Sequence, residues 1–137
     1  MTAELRYKMK KLWAVSVIGI MCLSAVFAET NLLKQGSTIG FRVNADRSGT
    51  IQNAFTTAFS AAGLKNDSNN PDYLLNVNIT ITPLTIPNNQ NVFVWFELIA
   101  NLIDKNGKLL LPYTISRREG HVTQAGAEDR AFREAVR

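Results

Sequence analysis

Tyr73-Leu74-Leu75-Asn76-Val77-Asn78-Ile79-Thr80-Ile81-Thr82 decides how this chain is read. Tyr73, Leu75, Val77, Ile79 and Ile81 fall on one side of a period of two, and Leu74, Asn76, Asn78, Thr80 and Thr82 fall on the other. Ten residues of alternation specify a strand with one buried and one wetted face. Pro83 and Pro87 follow, and proline cannot donate to a ladder, so the strand is expected to close there.

Downstream, Val92 to Asp104 is a longer strand. Val94, Phe96, Leu98, Ala100 and Leu102 make a wholly apolar face. The opposite face, Phe93, Trp95, Glu97, Ile99, Asn101 and Ile103, is apolar near its start. Asn106-Gly107 sits between two apolar runs and predicts a tight hairpin whose two central residues take positive φ. Lys108 to Ser116 is the return strand, with Pro112 marking an edge or a bulge, and Arg117-Arg118-Glu119 gives it a charged end.

Upstream, Ile39, Phe41 and Val43 alternate with Thr38, Gly40 and Arg42 in a short strand. A helix follows from Thr50 to Ala62, with Ile51, Phe55, Ala58, Phe59 and Ala62 as its apolar stripe. Ser48 is the expected N-cap and Gly63 the C-terminal stop. At the far end, Thr123 caps a second helix in which Ala127, Ala131, Phe132, Ala135 and Val136 share one face. That stripe is still running at Arg137, so the helix is expected to continue beyond it. The asparagine-rich segments Asn66 to Asn70 and Asn88 to Asn91 read as loops.

The order is β-α-β-β-β-α. The expected fold is an α+β two-layer sandwich: a mixed sheet with an antiparallel three-strand meander, and two helices on one face.

Residues 1–28 stand apart. Arg6, Lys8, Lys10 and Lys11 precede an uncharged apolar run from Leu12 to Phe27, which ends in Val26-Phe27-Ala28. This is the order of a bacterial secretory signal, with cleavage expected after Ala28. The run is shorter than the roughly 20 residues of a spanning helix. An uncleaved anchor is the lesser alternative. Cys22 follows Met21, too bulky for a lipidation site, so lipidation is the other minor route to the membrane. Residues 29–137 then form a single α+β domain without cysteine.

Charge depends on the same cut. The chain has 15 Lys+Arg against 11 Asp+Glu. Residues 1–28 hold four and one of these, so 29–137 carry 11 against 10, a net charge of +1. The basicity belongs largely to the signal, and no nucleic-acid partner is expected.

No constellation for catalysis, cofactor or metal stands out. His121 has Glu119 and Ser116 nearby, but neighbours along a strand do not make a triad. Asp67, Asp72 and the Asp104-Lys105-Asn106-Gly107 run offer oxygen ligands without the ordered spacing of a calcium loop. Asn66-Asp67-Ser68 and Asn78-Ile79-Thr80 fit a glycosylation pattern that matters only outside bacteria. Phe93, Trp95 and Ile99 form the most suggestive surface: if the helices cover the other face, they are free to meet a partner.

Pro71-Asp72-Tyr73-Leu74-Leu75, a long strand, Asp104-Lys105-Asn106-Gly107-Lys108, and Arg117-Arg118-Glu119 leading into an alanine-rich helix occur in that order. The succession resembles a group of bacterial envelope domains. These include the curli-secretion lipoprotein CsgG, the amino-terminal domain of TolB, and lipoprotein activators of penicillin-binding proteins. The resemblance covers roughly residues 37–137, with Asn76 and Asn78 where the group carries a glycine. It implies a noncatalytic role in envelope assembly, secretion or regulation through contact with another envelope protein. The expected address is the periplasm or beyond, with the membrane met only in transit. The alternative is a periplasmic small-ligand or glycan-binding domain, its pocket lying between the sheet and the two asparagine loops.

Overall fold

A computed structural model describes residues 33–137. The expected signal, Ala28 and Cys22 lie outside the described residues.

The elements are β1 (Thr38–Asn44), α1 (Thr50–Ala61), β2 (Lys65–Asn66), β3 (Tyr73–Leu84), β4 (Val92–Asp104), β5 (Leu109–His121) and α2 (Gln124–Ala135). One sheet has the order β2-β1-β3-β4-β5. β1 is parallel to β2 and β3, whereas β3, β4 and β5 form an antiparallel meander. The mixed sheet and its two helices are the expected α+β sandwich. The two-residue β2 is an addition: it runs beside β1 where a loop was expected to begin.

Alternation fixes which face is covered. Phe41, Leu75 and Leu102 lie in register across β1, β3 and β4. Phe55 and Phe59 of α1 stack around Phe41, with ring centroids 6.5 and 5.9 Å away. On β4, Val94, Phe96, Leu98, Ala100 and Leu102 are all buried, and the Phe96 ring meets Phe132 of α2 edge-on at 5.2 Å. Both helices therefore cover one face. The alanines Ala127, Ala131 and Ala135 are fully buried, which lets α2 lie close to the strands.

Ion pairs hold α2 in place. Glu119 on β5 is paired with Arg117 at 3.1 Å and with Arg130 of α2 at 3.3 Å. Arg47, from the turn after β1, reaches Glu128 at 2.8 Å and Asp129 at 2.6 Å, and its guanidinium lies 5.5 Å from the Phe132 ring centre. Arg47 thus ties the turn to the first half of α2.

Several local expectations are corrected. Ser48 does not cap α1. Gly49 occupies that position with φ 71°, and the cap is the Asp46 carboxylate, which accepts from Ile51 N–H and Gln52 N–H at 3.0 Å each. A carboxylate both satisfies the open amides and suits the positive end of the helix. Thr123 caps α2 as expected, its Oγ1 accepting from Gly126 N–H at 3.1 Å. Gly63 ends α1 at φ 91°, with Leu64 N–H bonded back to the Phe59 carbonyl.

Pro83 does not close β3, which runs on to Leu84. β1 stops at Asn44, opposite Asn78, so the end of β3 is an edge and tolerates a missing donor. Pro112 lies on the other edge strand, β5, close to a register shift where Leu110 is the extra residue.

The Asn106-Gly107 hairpin is not the two-residue turn. Only Gly107 has positive φ, at 81°. Gly107 N–H donates to the Asp104 carbonyl, and Asp104 Oδ1 accepts from Asn106 N–H and Lys108 N–H at 2.9 Å. Asp104 stabilises a three-residue loop with a left-handed glycine instead.

The open sheet face as a candidate functional site

The face opposite the helices is built by the alternate residues of the same strands. Trp95 is 40% exposed and Ile99 36%. In register across β3, β4 and β5 lie the rows Leu84–Phe93–Gly120, Thr82–Trp95–Arg118, Thr80–Glu97–Ser116, Asn78–Ile99–Thr114 and Asn76–Asn101–Pro112. β1 extends the last two rows, with Asn44 beside Asn78 and Arg42 beside Asn76.

The expected patch of Phe93, Trp95 and Ile99 thus falls on one face, but its members differ. Trp95 and Ile99 are exposed, whereas Phe93 is half-buried. Its ring lies so close over Gly120 that a Cβ there would meet it at 2.5 Å, and the Arg118 guanidinium sits 5.7 Å from the ring centre. A glycine opposite an aromatic lets the ring cover backbone that would otherwise stay open. Phe93 anchors this end of the face and leaves Trp95 beside it as the free aromatic.

The other half of the face is polar. Arg42, Asn44, Asn76, Asn78 and Asn101 line a groove of about 450 Å³. Asparagine is poorly suited to strand interiors, so three of them at open-face positions of two paired strands were the signal available in the sequence. Their lateral alignment was not available, because it follows from register.

The asparagine loops do not form the pocket expected of them. Residues 66–70 precede β3 and residues 88–91 follow it, so the full length of that strand separates them. The first loop instead crosses the start of β1: a Cβ on Gly40 would meet the Asp67 carbonyl oxygen at 3.0 Å, so glycine makes room for the crossing.

A second cavity of about 540 Å³ lies at the β1 start, lined among others by Lys34, Asp72, Asp104 and Lys105. Asp72 accepts from the Thr38 N–H at 3.0 Å and the Thr38 hydroxyl at 3.2 Å, and pairs with Lys105 at 3.3 Å. The Thr38 amide first, and the Lys105 ammonium after it, hold its carboxyl below the usual carboxylate range. Asp72 therefore pins β1 and the hairpin to β3. Asp67 accepts from Asn69 N–H in its own loop. With Asp104 engaged in its hairpin, all three carboxylates considered for calcium have local structural work. Among the described residues no group of three or more His, Cys, Asp or Glu side chains is placed to hold a metal.

His121 and Ser116 lie on opposite faces of β5, since their separation of five residues is odd. Glu119 does not orient His121; it serves Arg117 and Arg130. His121 packs instead against Gly126, where a Cβ would overlap its ring.

No protein-family model and no curated protein sequence matches the chain. Solved structures do. A minor lipoprotein from Acinetobacter baumannii is 15% identical with a TM-score of 0.50, over 73% of this chain and 82% of that one. A Caulobacter crescentus protein, provisionally described as a lipoprotein, is 15% identical with a TM-score of 0.50, over 72% and 81%. A Xanthomonas campestris protein of the family DUF330 is 12% identical with a TM-score of 0.49, over 75% and 78%. At such identities the likeness is one of fold: the chain shares its α+β sandwich with bacterial lipoproteins of known structure.

Proposed function

We propose that this chain is a noncatalytic, exported protein of the bacterial envelope that docks another envelope protein through the open face around Trp95 and Ile99. The observation that carries the reading is the placement of these two side chains on the face that neither helix covers. Large apolar groups exposed on an uncovered sheet face favour burial against a partner. Phe93, held between Gly120 and Arg118, would stiffen that surface in advance. The fold shared with bacterial lipoproteins supports the envelope address, as does the secretory order of residues 1–28, with cleavage after Ala28 and the periplasm as destination. The motif resemblance to CsgG, TolB and the penicillin-binding-protein activators belongs to the same reading. The placement of Ser116 and His121 on opposite faces of β5 weighs against a nucleophile–base pair there.

The test is a photo-crosslinking amino acid at Ile99 in the full chain, expressed in its native envelope. One defined adduct is expected, lost in Trp95→Glu, with an unchanged circular dichroism spectrum. A crosslinker at Thr57, on the outer face of α1, should give none. Equal adducts from Thr57 and Ile99, or a collapsed spectrum in Trp95→Glu, would refute the docking surface.

A further inference from the structure

We infer that the groove beside this patch binds a carbohydrate segment bearing a carboxylate, with Arg42 as the charge partner and Asn76, Asn78 and Asn101 reading hydroxyl groups. The inference does not rest on the docking surface. Trp95 is four residues along β4 from Ile99, about 13 Å at roughly 3.3 Å per residue, and it does not line the groove.

Three observations carry it. The first is register. Arg42, Asn76 and Asn101 sit directly opposite one another on β1, β3 and β4. Strands lie about 4.8 Å apart, so the three side chains form a row of roughly 10 Å. Asn44 and Asn78 make a second row beside it.

The second is unspent hydrogen-bonding capacity. Asn76 and Asn101 are half-buried, yet no protein hydrogen bond engages either amide among the described residues. Other side chains of the same type are used: Asn89 accepts from Asn91 N–H in its loop. A side-chain amide offers two donors and an acceptor. Adjacent hydroxyls on a sugar ring each donate and accept, so they match closely spaced amides. Partial burial has already removed some of the competing water, which lowers the cost of exchanging the rest.

The third is charge. Arg47, Arg117, Arg130 and Arg137 all pair with carboxylates. Arg42 pairs with none among the described residues, and the groove lining contains no acidic residue. A guanidinium prefers planar, two-point contact with a carboxylate. The lining therefore supplies one cation and four amides, a set that suits a ligand whose hydroxyls outnumber its acidic groups. An acidic peptide would use Arg42 but would bring no ring hydroxyls to match the four amides.

The experiment is titration of the chain with trigalacturonate, followed by amide resonances and calorimetry. Saturable binding is expected, with shifts confined to the side-chain amides of Asn76, Asn78 and Asn101 and to Arg42. Neutral maltotriose should bind at least about tenfold more weakly, a difference of about 1.4 kcal/mol. Arg42→Gln should erase that preference. Asn101→Leu should abolish binding, and Asn101→Ala is run beside it so that a packing defect in one variant does not decide the matter. Trp95→Glu should bind trigalacturonate as the parent does, which separates this site from the docking surface. Absence of saturable binding at millimolar trigalacturonate would overturn the proposal, as would shifts outside the groove or an unaltered preference in Arg42→Gln. Equal or tighter binding of triglutamate would also overturn it, and would make the groove an acidic-peptide site.

Discussion

The two faces of β4 differ less in composition than in fate. Val94, Phe96 and Leu98 alternate with Phe93, Trp95, Glu97 and Ile99, so apart from Glu97 both sets are large and apolar. One set is fully buried under α1 and α2, while in the other Trp95 and Ile99 stay exposed. Hydrophobicity alone does not decide burial. What decides it is whether another element carries a matching stripe, and both helices bring theirs to the same side.

Truncating adjacent residues of β4 separates the two faces by their effect on stability. Phe96→Ala should cost about 3–5 kcal/mol, because the cavity lies between the sheet and Phe132 and cannot collapse easily. Denaturant unfolding measures it. An equal loss in Trp95→Ala, one residue away, would mean that the open face is a core surface.

The next test is Gly120→Ala. The added Cβ must displace the Phe93 ring, and a cost of about 1–3 kcal/mol is expected. Phe93→Ala in the same chain should recover most of it, so a double-mutant cycle reads the contact itself. Additive losses would show that Phe93 does not rest on that glycine.

Trp95→Ala should cost about 1 kcal/mol, the ordinary scale for a half-covered side chain. Thermal unfolding in the absence of any partner is the measurement. This variant sharpens the contrast, since its small effect on folding should accompany complete loss of the crosslinked adduct.

The smallest effect concerns how β1, and with it Arg42, is held to the meander. The Asp72 carboxyl has a lowered pKa in the folded chain. Its contribution is therefore fully present above the unfolded carboxylate value, about 3.9, and fades as pH falls through the folded value. Wild type should exceed Asp72→Asn in stability at neutral pH, and the gap should close in acid. A gap that persists at the lowest pH would assign the effect to hydrogen-bond geometry and not to charge.

Much of this architecture was legible in advance. β4 spans its expected range because its alternation is long, and α1 ends within one residue of its expected stop because Gly63 takes a left-handed conformation. Ser48 is the nearer capping residue in sequence, but the Asp46 carboxylate takes the α1 cap because the chain turns through left-handed Ala45 and Ser48. A proline stops a strand that has neighbours on both sides, but β3 runs past Pro83 because β1 ends opposite Asn78. Glu119 is near His121 in sequence, yet its partners are Arg117 on the same strand and Arg130 on α2.

The candidate sites divide the same way. Phe93, Trp95 and Ile99 could be grouped from their period alone. The groove could not, since Arg42, Asn76 and Asn101 are spread over 60 residues and meet only through strand register.

Periodicity and turn chemistry act over a few residues, so the sequence alone specifies both helices, the long strands and the α+β class. The tertiary structure decided which apolar face stays open, which carboxylate caps α1, and which asparagines meet an arginine. Those outcomes depend on strand order and helix placement, which bring together residues far apart in the chain.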